Sequence, residues 1–297
     1  MSDRVPMQKA AEGVASASSI KRKRATSIAA VSKPPAPNEE IASFTGDPNF
    51  MTSLARGLAV VRGFSHEQQR LSIAQLSAKT GIPRAAVRRV LYTLGKLGYV
   101  ASDDGRRFVL QPRLLSLGHA YLSSTPLVTI AQPSLDQVSD AVGESCSLAI
   151  LEGDDILYVA RSVTSRIISI TLNVGSRLPA YCTSIGLVLL AALPEKELDA
   201  YLKRVQIKRF TPHTPSSAAA LRTLLMEVRG NGYAVADQQM EIGVVSVAVP
   251  VRDLAGRVVA GINVIGQTGR TSAHVLIERS IAPLTSAAHG LSAQLVG

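Results

Sequence analysis

Tryptophan is absent from these 297 residues and aromatic side chains make up 4%, so the hydrophobic 46% is almost entirely aliphatic. Cysteine is nearly absent too. Cys146 and Cys182 offer neither a disulfide framework nor a CxxC pair, which points to a reducing, cytoplasmic compartment. No cluster of metal ligands is visible, and no cofactor is expected. The longest apolar run, Ile185 to Leu193, falls well short of the ~20 residues that cross a bilayer, so no membrane partner is expected either. The basic stretch Lys21-Arg22-Lys23-Arg24 is not followed by an apolar segment, which argues against an export signal. The catalytic patterns GxSxG and HExxH and a phosphate-binding glycine loop are also missing.

What the chain does have is a lopsided charge. Of the net +10, residues 1–46 carry +3, residues 47–111 carry +6, and the remaining 186 residues carry +1. Such asymmetry is expected when one domain meets a polyanion and another does something else. The length fits two domains of the usual ~100–200 residues, and 18% charged residues with 46% hydrophobic ones place most of the chain among globular proteins.

Residues 1–46, rich in Ala, Ser, Lys and Pro without apolar periodicity, read as a disordered basic tail, whose Lys21–Arg24 run could reach DNA or simply be solvated. From residue 47 the pattern changes. Leu54, Leu58, Val61 and Phe64 recur at helical spacing. Ser72 with Gln75 forms a capping box for a short second helix with Ile73, Leu76 and Ala78 on its apolar side, ending at Gly81. Pro83 suits the first turn of a third helix, which carries the stripe Val87, Val90, Leu91, Leu94 and Leu97. Asp103-Asp104-Gly105 between Tyr99-Val100 and Phe108-Val109-Leu110 marks a tight hairpin. Three helices and a hairpin over 47–111 predict a winged helix-turn-helix.

Residues 112–126 predict a linker helix broken at Pro126, with a second helix over 127–143, and 127–297 predict a separate α+β domain. Its strands are expected at 147–151, 156–160, 167–172, 244–251 and 258–265, and its helices at 183–193, 195–204, 216–229 and the C-terminus. Hairpin-like neighbours with helices grouped between them suggest an antiparallel sheet.

On the third helix of the winged domain, at about 100° per residue, Ala85, Arg88, Arg89, Tyr92 and Lys96 fall opposite the apolar stripe, with Arg84 at the helix start. Arginine in the N-terminal half of a recognition helix can bond guanine bidentately or pair with phosphate. Arg106 and Arg107 at the hairpin would reach backbone or minor groove, or form only a solvated turn. The concentration of positive charge favours a double-stranded DNA operator over a protein-interaction use of this fold.

The stretches LSIAQLSAKTGIPRAAVRRVLYTLGKLGYV (71–100), GSRLPAYCTSIGLVLLAAL (175–193) and GYAVADQQMEIGVVSVAVPVRDLAGRVVAGINV (232–264) resemble the IclR family of bacterial transcriptional regulators, and in particular its protocatechuate and 4-hydroxybenzoate branch. The resemblance covers about residues 47–297. It implies a GAF-like effector-binding domain, a homodimer that often pairs into a tetramer on DNA, and regulation of aromatic-compound catabolism, more commonly by activation in that branch, though the residues do not distinguish an activator from a repressor. The implied effector is a small aromatic acid or a ring-cleavage dicarboxylic acid such as β-ketoadipate, acting on recognition-helix spacing or on contact with RNA polymerase. The implied pocket is built from Cys182, Thr183, Ser184 and Ile185, from Asp237 and Glu241, and from Ser246, Asn263 and Ile265. One departure is Leu187, which follows Gly186 where the family commonly has a basic residue.

The residues themselves leave alternatives. A helix beginning near Thr183 presents free N–H groups that suit a carboxylate, with Thr183 and Ser184 as hydroxyl donors or merely as caps. Asp237 and Glu241 could accept a ligand hydroxyl, or sit in a solvated turn. Arg161 and Arg166 could fork an aromatic carboxylate or be solvated at a strand edge, and Tyr158 and Tyr181 could stack on a ring or belong to the core. A competing reading makes Cys182 an enzymatic nucleophile, although His66, His119, His213, His274 and His289 form no motif with it.

Overall fold

The computed structural model describes residues 37–65, 68–164 and 172–295. In the N-terminal part, α1 (Pro37–Ala42) and α2 (Thr52–Arg62) precede the two-residue strand β1 (Leu71–Ser72), α3 (Ile73–Thr80), α4 (Arg84–Lys96), β2 (Val100–Ala101) and β3 (Arg107–Leu110). The strands pair antiparallel in the order β1-β3-β2, with Leu71 opposite Phe108 and Val100 opposite Leu110. This is the winged helix-turn-helix that the periodicity predicts.

Local chemistry fixes the turns. The Ser72 hydroxyl accepts the Gln75 N–H while the Gln75 side chain accepts the Ser72 N–H, closing the expected capping box. Such caps contribute about 0.5–2 kcal/mol, which matters where the buried core is small. Gly81 ends α3 at φ +73°, a conformation glycine adopts at little cost. Val60, Leu71, Leu76, Ile82, Val87 and Leu91 then bury almost completely, each stabilising by about 1.5–3 kcal/mol.

Two expectations fail here. The stripe predicted on α2 is only partly its packed face: Phe64 packs on the core and Val61 is half-buried, but Leu54 and Leu58 are 58% and 50% exposed, and Ala59 and Val60 are the buried residues of the helix. The helix turns its small side inward, and Gly63, at its end, abuts Leu76 so closely that a Cβ would overlap it. Regular structure is also found inside the stretch assigned to the tail. Ile41 of α1 packs on the helix-turn-helix core and the Phe44 ring stacks on Phe50 at 4.6 Å. The rest of the predicted tail, residues 1–36 with the Lys21–Arg24 run, lies outside the described residues.

A single 3-10 turn (Pro112–Leu114) leads into α5 (Leu115–Ser124), the predicted linker helix, and Pro126 opens α6 (Pro126–Val142) at its first position. The C-terminal part is a six-stranded antiparallel sheet in the order β6-β5-β4-β9-β8-β7. Its strands are β4 (Ser145–Glu152), β5 (Asp155–Ser162), β6 (Arg177–Pro179), β7 (Ala234–Asp237), β8 (Val244–Arg252) and β9 (Val258–Gln267). The remaining helices are α7 (Ser184–Ala191), α8 (Glu195–Arg204), α9 (Ala218–Asn231) and α10 (Ala273–Gln294). Period-two alternation sends Val245, Val247, Val249 and Val251 to one face, where Leu135 and Val138 of α6 and Leu284 and Leu291 of α10 cover them. Ala248 faces the other way, into a second core with α7, α8 and α9. All eight residues of α7 are buried, as befits a helix that is apolar all round.

The sequence reading left out β1, β6 and β7, and the predicted strand at 167–172 lies almost wholly outside the described residues. No helix is long and apolar enough to cross a membrane, and no trio of His, Cys, Asp or Glu is grouped to hold a metal, among the described residues.

Candidate functional site

The outward face of α4 is as the helical wheel draws it. Arg84, Arg88 and Arg89 are exposed, and Tyr92 is 67% exposed with the Lys96 ammonium 5.5 Å from its ring centroid. Among the described residues no carboxylate pairs with Arg84, Arg88 or Arg89. The hairpin adds exposed Arg106 and Arg107, and its turn is built around one side chain. Asp104 Oδ1 accepts the N–H groups of Arg106 and Arg107 at 2.8 and 2.7 Å, and Gly105 takes φ +66°. These backbone donors hold the Asp104 carboxyl below the usual aspartate range.

Because the folded pKa is the depressed one, this cap contributes at every pH above the ordinary aspartate value and is lost only as pH falls through the lowered value. Asp104→Ala is therefore expected to speed amide exchange of Arg106 and Arg107 by roughly fivefold or more at neutral pH, while Asp104→Asn, which keeps an acceptor, largely restores protection. Equal exchange in all three proteins would remove Asp104 from this role.

In the C-terminal part, a cavity lies between the sheet and the segments above it. Sheet register supplies the floor. Arg161, Ser147, Asn263 and Ala248 are successive cross-strand partners in one row, and Ile265, Ser246 and Ala236 are partners in the next. Arg161 shares this face with Tyr158 because β5 carries a bulge: Leu148 pairs with Ala160 and Ala149 with Tyr158, which leaves Val159 as an extra residue. Without it, residues three apart would point to opposite faces.

The cavity walls include Tyr158, Arg161, Cys182, Thr183, Glu241, Ser246, Asn263 and Ile265 together with Leu172, Leu178, Ala236, Gln239, Met240 and Val244. The Arg161 guanidinium bonds the Leu172 carbonyl through Nη1 at 2.8 Å, its Nε has no partner, and no carboxylate pairs with it among the described residues. Burial pulls its pKa down, the sign of a cation short of water. Asn263 is 2% exposed. Its Nδ2 donates to Ser184 Oγ at 3.3 Å, while its Oδ1, like the fully buried Ser147 Oγ, has no partner among the described residues.

Other expected residues settle differently. The Thr183 hydroxyl accepts the Gly186 N–H at 3.3 Å and donates to the Pro179 carbonyl at 3.1 Å, so it caps α7 as well as bordering the cavity. Ser184 lies behind Asn263, and Ile185 packs over Gly261, where a Cβ would clash with it. Asp237 is exposed at the end of β7 and does not line the cavity. Arg166 lies outside the described residues. The Tyr181 hydroxyl bonds both the carbonyl and the N–H of Lys208, at 3.0 and 2.9 Å, and its ring stacks on Phe210, so it is a structural tie rather than part of the wall. Cys182 is 1% exposed and burial drives its thiol pKa up, the reverse of what a thiolate nucleophile needs. Gln239 and Met240 went unnoticed in the sequence, where a loop Gln-Met pair carries no signal.

Comparison with known proteins fits both halves. Residues 53–104 match the IclR helix-turn-helix domain, and residues 119–293 match the C-terminal domain of bacterial IclR transcriptional regulators. The chain is 51% identical over 262 residues to the Pca regulon regulatory protein of Pseudomonas putida, covering 88% of this chain and 90% of that protein. It is 33% identical over 248 residues to the p-hydroxybenzoate hydroxylase transcriptional activator of Acinetobacter baylyi, covering 82% and 91%. A crystal structure of an IclR homologue from Microbacterium hydrocarbonoxydans complexed with 4-hydroxybenzoate superposes with a TM-score of 0.71 at 26% identity, covering 82% of this chain and 98% of that one. The first two of these relatives are transcriptional regulators by name, and the chain belongs to the IclR family of bacterial transcriptional regulators.

Proposed function

We propose that this chain switches aromatic-compound catabolism genes by binding an operator through α4 and the wing, under the control of a small aromatic or ring-cleavage acid held in the cavity. The observation that carries the reading is Arg161, a half-buried guanidinium turned onto the cavity floor by the β5 bulge, with no carboxylate of its own among the described residues. An acid ligand supplies the missing counter-charge, and charge-assisted bonds are the strong ones. The regulators of the pca regulon and of p-hydroxybenzoate hydroxylase named above support the same chemistry. The remaining residues at the walls, Cys182, Thr183, Glu241, Ser246, Asn263 and Ile265, shape and polarise the cavity.

The active species in this reading is a cytoplasmic homodimer or tetramer. Its support is α5: none of its residues is buried, it carries no formal charge, and Leu115, Leu117 and Tyr121 are exposed along it. A second copy covering this helix would set two α4 helices on one palindromic operator. Effector binding then changes their spacing, or the contact with RNA polymerase, through a difference in ligand affinity between two conformations.

Calorimetry with protocatechuate, 4-hydroxybenzoate and β-ketoadipate tests the proposal. One of them is expected to bind stoichiometrically, and Arg161→Gln to weaken it by roughly 10- to 100-fold, the range of a lost charge-assisted bond of about 1.5–3 kcal/mol. A folded Arg161→Gln protein that binds the acid as tightly as the parent would sink the assignment.

A further inference from the structure

The loop that roofs the cavity, from Gln238 to Gly243, is held in place by side chains outside it. Gln238 sits at φ +53°, in the left-handed region that residues other than glycine rarely take. Two threonines keep it there. Thr211 Oγ1 donates to the Gln238 carbonyl and Thr214 Oγ1 to the Gln239 carbonyl, each at 2.6 Å.

The direction of these bonds is set by what else the hydroxyls do. Thr214 Oγ1 accepts the N–H groups of Phe210 and Thr211, both at 3.0 Å, and Thr211 Oγ1 accepts the His213 N–H at 3.1 Å. With lone pairs engaged by backbone donors, each hydroxyl has one proton left, and it goes to the loop. The Gln238 side chain closes the loop by accepting the Gly243 N–H at 3.1 Å. Tyr181 ties the neighbouring Lys208 to the turn that carries Cys182, so this roof and that wall share one support.

What the clamp presents is Gln239. Gln239 is one of the residues that line the cavity, and its side-chain Oε1 is buried without a hydrogen-bond partner among the described residues. A buried amide oxygen left unpaired in a ligand cavity is a place for a donor. Arg161 belongs to the sheet floor and Gln239 to the roof, so the cavity offers a cation on one wall and an amide on another.

We infer that Gln239 reads a hydroxyl on the ring of the effector, and that Thr211 and Thr214 are positioning residues that hold its backbone for this purpose. The inference rests on the reading of the cavity as an aromatic-acid site. It makes the protein selective for hydroxylated aromatic acids over unsubstituted ones, with Arg161 taking the carboxylate and Gln239 the hydroxyl.

Calorimetry of the full chain with benzoate, 3-hydroxybenzoate and 4-hydroxybenzoate decides it. The parent protein is expected to bind one hydroxybenzoate at least about tenfold more tightly than benzoate, since sites built to bond a hydroxyl reject the analogue that lacks it. Gln239→Met, similar in size, should bring that ratio to within about twofold while benzoate affinity stays within about threefold. Thr211→Val with Thr214→Val should lower the ratio as well, and Thr211→Ser with Thr214→Ser, which keeps both hydroxyls, should preserve it.

A ratio unchanged in Gln239→Met, or abolished only by Glu241→Gln on the same wall, overturns the role of Gln239. Valine variants that weaken benzoate and hydroxybenzoate equally make the threonines structural and overturn their positioning role. Should the valine pair fail to fold, Gln239→Met still decides the reading of the hydroxyl, and a serine pair that loses the ratio overturns the clamp. No binding of any benzoate to the parent protein overturns the aromatic-acid reading itself, an outcome distinct from an unchanged ratio.

Discussion

Gly186→Ala is expected to lower the melting temperature of the C-terminal domain by roughly 6–12 °C and to abolish effector binding. The reason is space rather than backbone angle. A Cβ on Gly186 would fall well inside 3.0 Å of the Ala180 carbonyl oxygen, Cα and carbonyl carbon, all of them backbone. Nothing there can rotate away, so either the 3-10 turn Ala180–Cys182 or the first turn of α7 must move. Overpacking a well-fitted interior costs about 1–3 kcal/mol, and backbone against backbone belongs at the upper end. At ~2–4 °C per kcal/mol for a domain of this size, that gives the shift named. The movement also displaces Cys182 and Thr183 at the cavity wall and breaks the Thr183 cap on the Gly186 N–H. Calorimetric melting with an effector titration reads both effects, and a variant melting within about 2 °C of the parent would show that the contact relaxes freely. The winged domain has its own core, so its affinity for non-specific DNA should survive the substitution.

The same close packing explains why parts of the fold and site were legible and others were not. Elements with local chemical signals stood out in the sequence. Ser72 and Gln75 start α3, Asp103-Asp104-Gly105 turns the wing, and α8 runs over the predicted residues 195–204. Strands of two to four residues such as β1, β6 and β7 are too short for alternation to declare itself and exist only through their partners. On α2, periodicity found an apolar stripe but could not say which side meets the core, because that depends on the tertiary neighbours, and Ala59 and Val60 are buried while Leu54 and Leu58 are exposed. The cavity was half legible for the same reason. Cys182, Thr183, Glu241, Ser246, Asn263 and Ile265 came from family resemblance. Arg161 was one of two possible strand-edge arginines until the bulge turned it inward, and Gln239 depends on a loop held by threonines 28 and 25 residues away.

Arg88→Ala is expected to weaken operator binding by roughly 10- to 100-fold, corresponding to about 1–3 kcal/mol if the side chain forks a guanine. Its place near the middle of α4, exposed and unpaired by any carboxylate among the described residues, leaves the guanidinium free to reach a groove. A phosphate contact would behave differently, lowering specific and non-specific affinity together and reducing the salt dependence by about 0.9 in log–log slope. The wing provides the internal comparison. Arg106 and Arg107 flank a turn whose backbone is fixed by Asp104, which suits contact with the phosphate backbone or minor groove, so Arg106→Ala with Arg107→Ala should show that second pattern. Fluorescence anisotropy with operator and scrambled duplexes, each at several fixed salt concentrations, separates the two. If Arg88→Ala left both affinities and the slope unchanged, α4 would not be the reading helix. The basic excess of residues 47–111 would then need another outlet, and the exposed Arg84 and Arg89 would be the next side chains to remove.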